Sequence, residues 1–205
     1  LADRLDTLVG LFGSGQPPTG SKDPYALRRA TVGLVRIIIE QGLELDLADL
    51  IAAAYKLHAD LPQPLEEVEP KLLAFVFDRL RAYYDDQDIP VEVYLSVMEN
   101  KSGSLFDFDK RMKAVTQFTG LESADSLSAS NKRVSNIIAK NGVGTSALDT
   151  SVFVDAAEVG LYETLMVVRK DNDKALADGD YQAALTSMLA LSDPLDRFFT
   201  EVMVM

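Results

Sequence analysis

Along residues 1–12 the apolar positions Leu1, Leu5, Leu8, Leu11 and Phe12 fall three or four apart, the spacing that lines one face of an α-helix. Gly13-Ser14-Gly15-Gln16-Pro17-Pro18-Thr19-Gly20 ends that pattern, because glycine and paired prolines suit neither a helix nor a central strand. A second helix is predicted to start at Ser21 or Asp23 as cap, with Pro24 in its first turn, and to run to Gln41 before Gly42. On it Leu27, Leu34 and Ile38 share a stripe, with Arg29 and Arg36 opposite. Asp46 caps a third helix over Leu47 to Ala59, Pro70 opens a long one to Asp86, and Pro90 opens another to Glu99. Further helices are predicted over Asp107–Phe118, Glu122–Lys140 (stopped by Asn141-Gly142-Val143-Gly144), Asp155–Ala177, Tyr181–Leu191 and Pro194–Val204. No segment alternates with period two, so the expected class is all-α, a helical bundle of about nine or ten helices in two packed regions.

The most plausible internal boundary is Asp60-Leu61-Pro62-Gln63-Pro64-Leu65-Glu66-Glu67, where two prolines meet a rise in charge. The expected regions are therefore 1–62 and 63–205. The longest apolar run, Val32 to Ile39, is interrupted by Gly33 and Arg36 and is too short to cross a bilayer, so no membrane partner is expected. The chain has no cysteine, which removes disulfides, thiolate metal sites and cysteine nucleophiles and agrees with a cytoplasmic location. It begins in mid-helix pattern at Leu1, without an initiator methionine, and reads as a piece of a longer chain.

Charge changes the picture more than composition does. The formal net charge is −12, yet Ser130 to Lys140 carries Lys132, Arg133 and Lys140 with Asn131 and Asn136 and no acidic residue. The balances of residues 1–62, 63–140 and 141–205 are −2, −3 and −7, so the acidity is concentrated in the last third. On the predicted helix Leu127, Val134 and Ile138 share one face, while Lys132, Arg133, Asn136 and Lys140 gather on the other. Two readings stand: a solvated face of a packed helix, or contact with an anionic partner such as nucleic acid. No acidic residue lies three or four positions from Arg133 or Lys140, which favours the second. Asn131, at the edge of the apolar stripe, is expected to support a neighbouring backbone.

Other candidates are weaker. Arg79, between Phe75 and Tyr83, is either salt-bridged to a carboxylate such as Asp78 or reaches a ligand, and Arg81 faces solvent. Lys110, Arg111 and Lys113 follow Asp107 and Asp109 and match an ordinary helix dipole. His58, the one histidine, has no companion at metal-ligand spacing. Asp3 and Asp6 are a solvated helix face, or metal ligands or half of an acid/base pair. Gly13-Ser14-Gly15 lacks the strand and the Gly-Lys-Ser/Thr of a phosphate loop. No catalytic set and no metal set is expected here.

Several blocks resemble one family. Ala2-Asp3-Arg4-Leu5-Asp6-Thr7-Leu8-Val9-Gly10, Gly20-Ser21-Lys22-Asp23-Pro24-Tyr25-Ala26-Leu27-Arg28-Arg29-Ala30, Asp107-Phe108-Asp109-Lys110-Arg111, Asn131-Lys132-Arg133-Val134-Ser135-Asn136-Ile137 and Val202-Met203-Val204-Met205 look like the β subunit of bacterial heterotetrameric glycyl-tRNA synthetase, in the family's order. The resemblance implies a carboxy-terminal fragment: the end of an HD-like helical domain over 1–62, then a DALR-like anticodon-binding region over 63–205. It implies glycine tRNA and the α subunit of an α2β2 holoenzyme as partners, no DNA, and no cofactor in this fragment, ATP and Mg belonging to the α subunit. Lys132, Arg133, Asn136, Lys140, Arg79 and Arg81 would then contact tRNA, in support of glycyl-tRNA formation catalysed elsewhere. Asp3 matches the last HD-type metal aspartate, but its partners would lie upstream. Tyr25 stands where phenylalanine is expected, on a helix face, and the family continues past Met205 with another helix. The alternatives are a helical scaffold for subunit assembly without tRNA contact and, more weakly, an HD-type phosphohydrolase.

Overall fold

A computed structural model describes residues 1–142 and 148–202. These hold ten α-helices and two 3₁₀ turns, with no strand among the described residues: α1 (Ala2–Gly13), α2 (Leu27–Glu40), α3 (Leu47–Tyr55), α4 (Leu65–Asp85), α5 (Val91–Met98), α6 (Leu105–Thr119), α7 (Glu122–Asn141), α8 (Ala156–Ala177), α9 (Tyr181–Met188) and α10 (Ser192–Glu201). The all-α expectation holds. Val143 and Gly144 of the predicted stop signal, and the Met203-Val204 end of the last predicted helix, lie outside the described residues, as does Met205.

The chain divides into two compact units, Leu1–Met112 and Lys113–Met205, and the division falls inside α6. The Pro62-Gln63-Pro64 segment is a turn within the first unit. There the Gln63 amide donates to the Gly13 carbonyl at 2.9 Å and the Tyr55 hydroxyl to the Gln63 carbonyl at 2.7 Å, so the proline-rich stretch is tied to α1 and α3. Prolines and charge there mark a corner between packed helices, with α4 turning back onto α1, α2 and α3.

α4 is the axle of the first unit. Its buried positions, Val68, Leu72, Val76, Phe77, Leu80 and Tyr84, recur at helical spacing and meet Leu5, Leu8, Val9 and Phe12 of α1, Leu34 and Ile38 of α2 and Ile51 of α3 in one core. Pro70 does not open the helix, which begins at Leu65 after Pro64. Near the start of a helix, proline's missing N–H removes at most one bond, and packing of the long apolar face carries the helix through it. Asp23 does cap α2, through bonds from the Leu27 and Arg28 amides at 2.8 and 3.0 Å. The helix starts later than Pro24 suggested, because Ala26 takes a left-handed turn. Tyr25 therefore lies in that turn and not on a helix face, and its hydroxyl donates to Gln16 Oε1 at 2.9 Å, a bond phenylalanine could not make.

The far end of α4 closes on α5 and the start of α6 through an aromatic cluster in which Tyr84 and Tyr94 lie 6.2 and 5.6 Å from Phe108. The Tyr84 hydroxyl donates to the buried Asp109 carboxylate at 3.0 Å, and that of Tyr94 to the Phe77 carbonyl at 2.7 Å. Burial, and for Tyr84 also the Asp109 charge, holds both phenols above their ordinary range, Tyr94 at about 12 and Tyr84 higher still. Ser104, not Asp107, caps α6, its hydroxyl accepting from the Asp107 amide at 3.3 Å.

The second unit has a smaller core, in which buried Leu127, Val168 and Leu191 gather partly buried Phe118, Leu161, Leu189 and Leu195. α8 opens with a capping box between Asp155 and Glu158, and α9 folds back along it after Gly179. The Asn172 amide of α8 donates to the Ala184 carbonyl of α9 at 2.9 Å, and α10 packs on both α7 and α8.

Candidate nucleic-acid interface

α7 has a dipole-matched sequence: Glu122 and Asp125 in its first turn, Lys140 in its last, and Gly142 at φ 77° just beyond it. Its inner face is anchored by Leu127 and by Ser130, whose hydroxyl donates to Asp196 Oδ1 of α10 at 3.2 Å. The apolar stripe fades toward the end of the helix. Val134 is half-buried, but Ile138 keeps 43% of its surface exposed, because α7 is covered by α10 and the Leu189–Leu191 turn only along part of its length.

Lys132, Arg133, Asn136 and Lys140 are all exposed and line one shallow hollow of about 420 Å³ with Ala129, Ile137 and Asn141. The structure thus brings together four of the six expected tRNA-contacting residues on a single helix face. Among the described residues no carboxylate pairs with Lys132 or Lys140, and the sequence has no acidic residue from Ser126 to Leu148. Arg133 is engaged differently. Its guanidinium carbon lies 4.0 Å from the centroid of the half-buried Phe199 ring of α10, a cation–π contact.

Arg79 and Arg81 belong to the first unit and are charge-paired locally. Arg79 is hydrogen-bonded to Asp78, its guanidinium 5.9 Å from the Phe75 ring, and Arg81 lies 3.9 Å from Asp85. The carboxylate reading of Arg79 describes this geometry. In the second basic cluster Lys110 pairs with Glu44 and Arg111 with Asp107.

The supporting role expected of Asn131 falls to its neighbour. Asn131 is exposed at the rim of an apolar groove, without a hydrogen bond to a described residue, while Ser130 makes the bond that holds α10. Ser130 and Phe199 are the residues that sequence reasoning missed. Ser130 sits three positions after buried Leu127, so its burial was available from helical spacing, but its partner Asp196 is 66 residues away.

His58 has a structural place: its Nε2 is 3.1 Å from Asp6 and its ring lies over Gly10 so closely that a Cβ there would come within 3.0 Å. Asp3 is exposed, and no cluster of three or more metal-ligating side chains occurs among the described residues. No described helix is long and apolar enough to cross a membrane.

Residues 1–99 match the family model of the glycyl-tRNA synthetase beta subunit. Over the whole chain the sequence is 47% identical to the glycine–tRNA ligase beta subunit of Pseudomonas aeruginosa, 42% to that of Hahella chejuensis and 44% to that of Histophilus somni. All of this chain is covered in each case, and it spans 30% of the length of these curated relatives. The matches to these relatives run through α7 and α10, the two helices that build the basic face, so that over its whole length the chain is similar to glycine–tRNA ligase beta subunits, and over residues 1–99 to the family model.

Proposed function

We propose that this chain is an RNA-handling part of a glycine–tRNA ligase β subunit, docking the anticodon arm of glycine tRNA while aminoacylation proceeds in the α subunit with ATP and Mg²⁺. The observation that carries the reading is the α7 face, where Lys132 and Lys140 stand exposed without carboxylate partners among the described residues, in a chain of net charge −12. Exposed cations with a local absence of acid attract a phosphate backbone, and unstacked loop bases supply the remaining contacts. Asn136, with a donor and an acceptor on one amide, suits a base edge. Arg79 and Arg81 contribute little, because Asp78 and Asp85 already neutralise them.

The test is fluorescence anisotropy of a labelled glycine-tRNA anticodon stem-loop with the 205-residue chain at two salt concentrations. Binding that weakens in the Lys132→Ala/Lys140→Ala variant is expected. Equal binding by that variant and the unsubstituted chain removes the assignment.

A second reading, a scaffold for subunit assembly, draws on the groove of about 380 Å³ in which Leu161, Leu165, Met188, Leu195 and Phe198 line an apolar wall. Such a surface suits a protein partner better than a polyanion. Co-elution with the α subunit and no affinity for the stem-loop would select it.

A further inference from the structure

Arg36, Arg79, Arg81, Arg111, Arg169 and Arg197 each have a carboxylate within ion-pair distance, whereas Arg133 is held against an aromatic ring. At 4.0 Å from the ring centroid the guanidinium carbon lies over the Phe199 ring at van der Waals distance. Arg133 is nevertheless exposed, so the contact with Phe199 does not remove it from solvent. Phe199 is half-buried, its ring 5.6 Å from Phe198 in an edge contact. The Ser130–Asp196 bond lies three residues before this contact on both helices, so one turn of α7 is registered along one turn of α10. The guanidinium is thus oriented before any ligand arrives, and little rotamer freedom remains to be lost on binding.

We propose that Arg133, backed by Phe199, is a stacking platform for one unpaired nucleobase of a single-stranded RNA loop, with Asn136 at the base edge and Lys132 and Lys140 on the flanking phosphates. The proposal rests on the RNA-binding reading of α7. A planar cation with an open face stacks on any base, and the aromatic ring behind it fixes the plane. Lys132 and Asn136 line the same hollow as Arg133, so phosphate and base contacts fall within one nucleotide's reach. A lysine at position 133 would keep the charge and lose the plane.

The experiment uses an RNA hairpin carrying 2-aminopurine at each loop position in turn, since stacking quenches this base. Quenching at one position is expected on binding to the unsubstituted chain. Arg133→Lys and, independently, Phe199→Leu should abolish the quenching and weaken binding about five- to a hundredfold while leaving the salt dependence in place. Thermal unfolding followed by circular dichroism verifies that each variant is folded, and if Phe199→Leu is not, Arg133→Lys decides alone. RNA binding that depends on Lys132 and Lys140 with no quenched position, or with quenching retained in Arg133→Lys, overturns the platform and leaves the RNA-binding reading standing. Absence of RNA binding altogether overturns both.

Discussion

The two lysines of α7 that have no carboxylate partner among the described residues make a quantitative prediction about salt. If Lys132 and Lys140 each neutralise one phosphate, replacing both by alanine removes two counterion-release contacts, each contributing about 0.7 to the slope of log K against log salt for a single strand. The Lys132→Ala/Lys140→Ala variant should therefore show a slope shallower by about 1.4. Between about 50 and 200 mM salt the unsubstituted chain would lose about sevenfold more affinity than the variant. Anisotropy titrations of the anticodon stem-loop at four salt concentrations give both slopes directly. Arg79→Ala/Arg81→Ala serves as the internal comparison, because those side chains already face Asp78 and Asp85, and their removal should leave the slope almost unchanged. Equal slopes for the lysine variant and the unsubstituted chain, or a larger change in the arginine variant, would refute the reasoning from local charge pairing.

Other outcomes follow from the first unit's packing. Tyr84→Phe removes a 3.0 Å bond to the buried Asp109 carboxylate and should cost about 1.5–3 kcal/mol in urea unfolding; no measurable loss would show that the carboxylate is satisfied without it. Because Tyr84 and Tyr94 are held above the ordinary value of 10.0 in the folded state, the unfolded chain releases these protons first. Stability should be complete below about pH 10 and fall as pH rises through the folded value of about 12 for Tyr94, and a Tyr94→Phe variant should fall less steeply. Gly103→Ala would drive a Cβ into Asp46 Oδ2 and push aside the cap that accepts the Ala48 and Asp49 amides. Its expected cost is about 0.5–2 kcal/mol, read as a lowered thermal midpoint.

Helical periodicity carried most of the fold because the elements bury single stripes: Leu27, Leu34 and Ile38 are buried where the pattern put them, and Arg29 and Arg36 exposed. Boundaries shifted where a local rule met a tertiary contact. Pro70 marked a start by local chemistry, yet the turn from Pro62 to Pro64 and the burial of Val68 extend α4 back to Leu65. The same turn reads as a border in the sequence because composition records prolines and charge but not the bonds from Gln63 and Tyr55 that fasten them. In the candidate site the free cations were legible, since an acid that neutralises a surface cation on a helix usually lies within a turn of it. Phe199 was not, because the only feature that selects it is a contact across 66 positions of sequence.

The acidity of the second unit is part of the argument for where an anion would sit. Lys113–Met205 holds 13 acidic against 8 basic residues, so most of that unit repels a polyanion. From Ser126 to Leu148 the repulsion is absent, and three cations stand on a face supported by α10. A uniformly basic surface binds RNA in many registers, whereas one attractive face on an acidic body admits few. Adding positive charge to the acidic surface, for instance by Asp173→Lys/Asp178→Lys on α8 and its C-cap, should therefore raise affinity for unrelated RNA more than for the stem-loop. Parallel titrations with the stem-loop and a scrambled single strand measure that ratio. An equal gain for both would mean that the acidic surface does not confine RNA to α7, and that the basic face is only one of several places where an anion can rest.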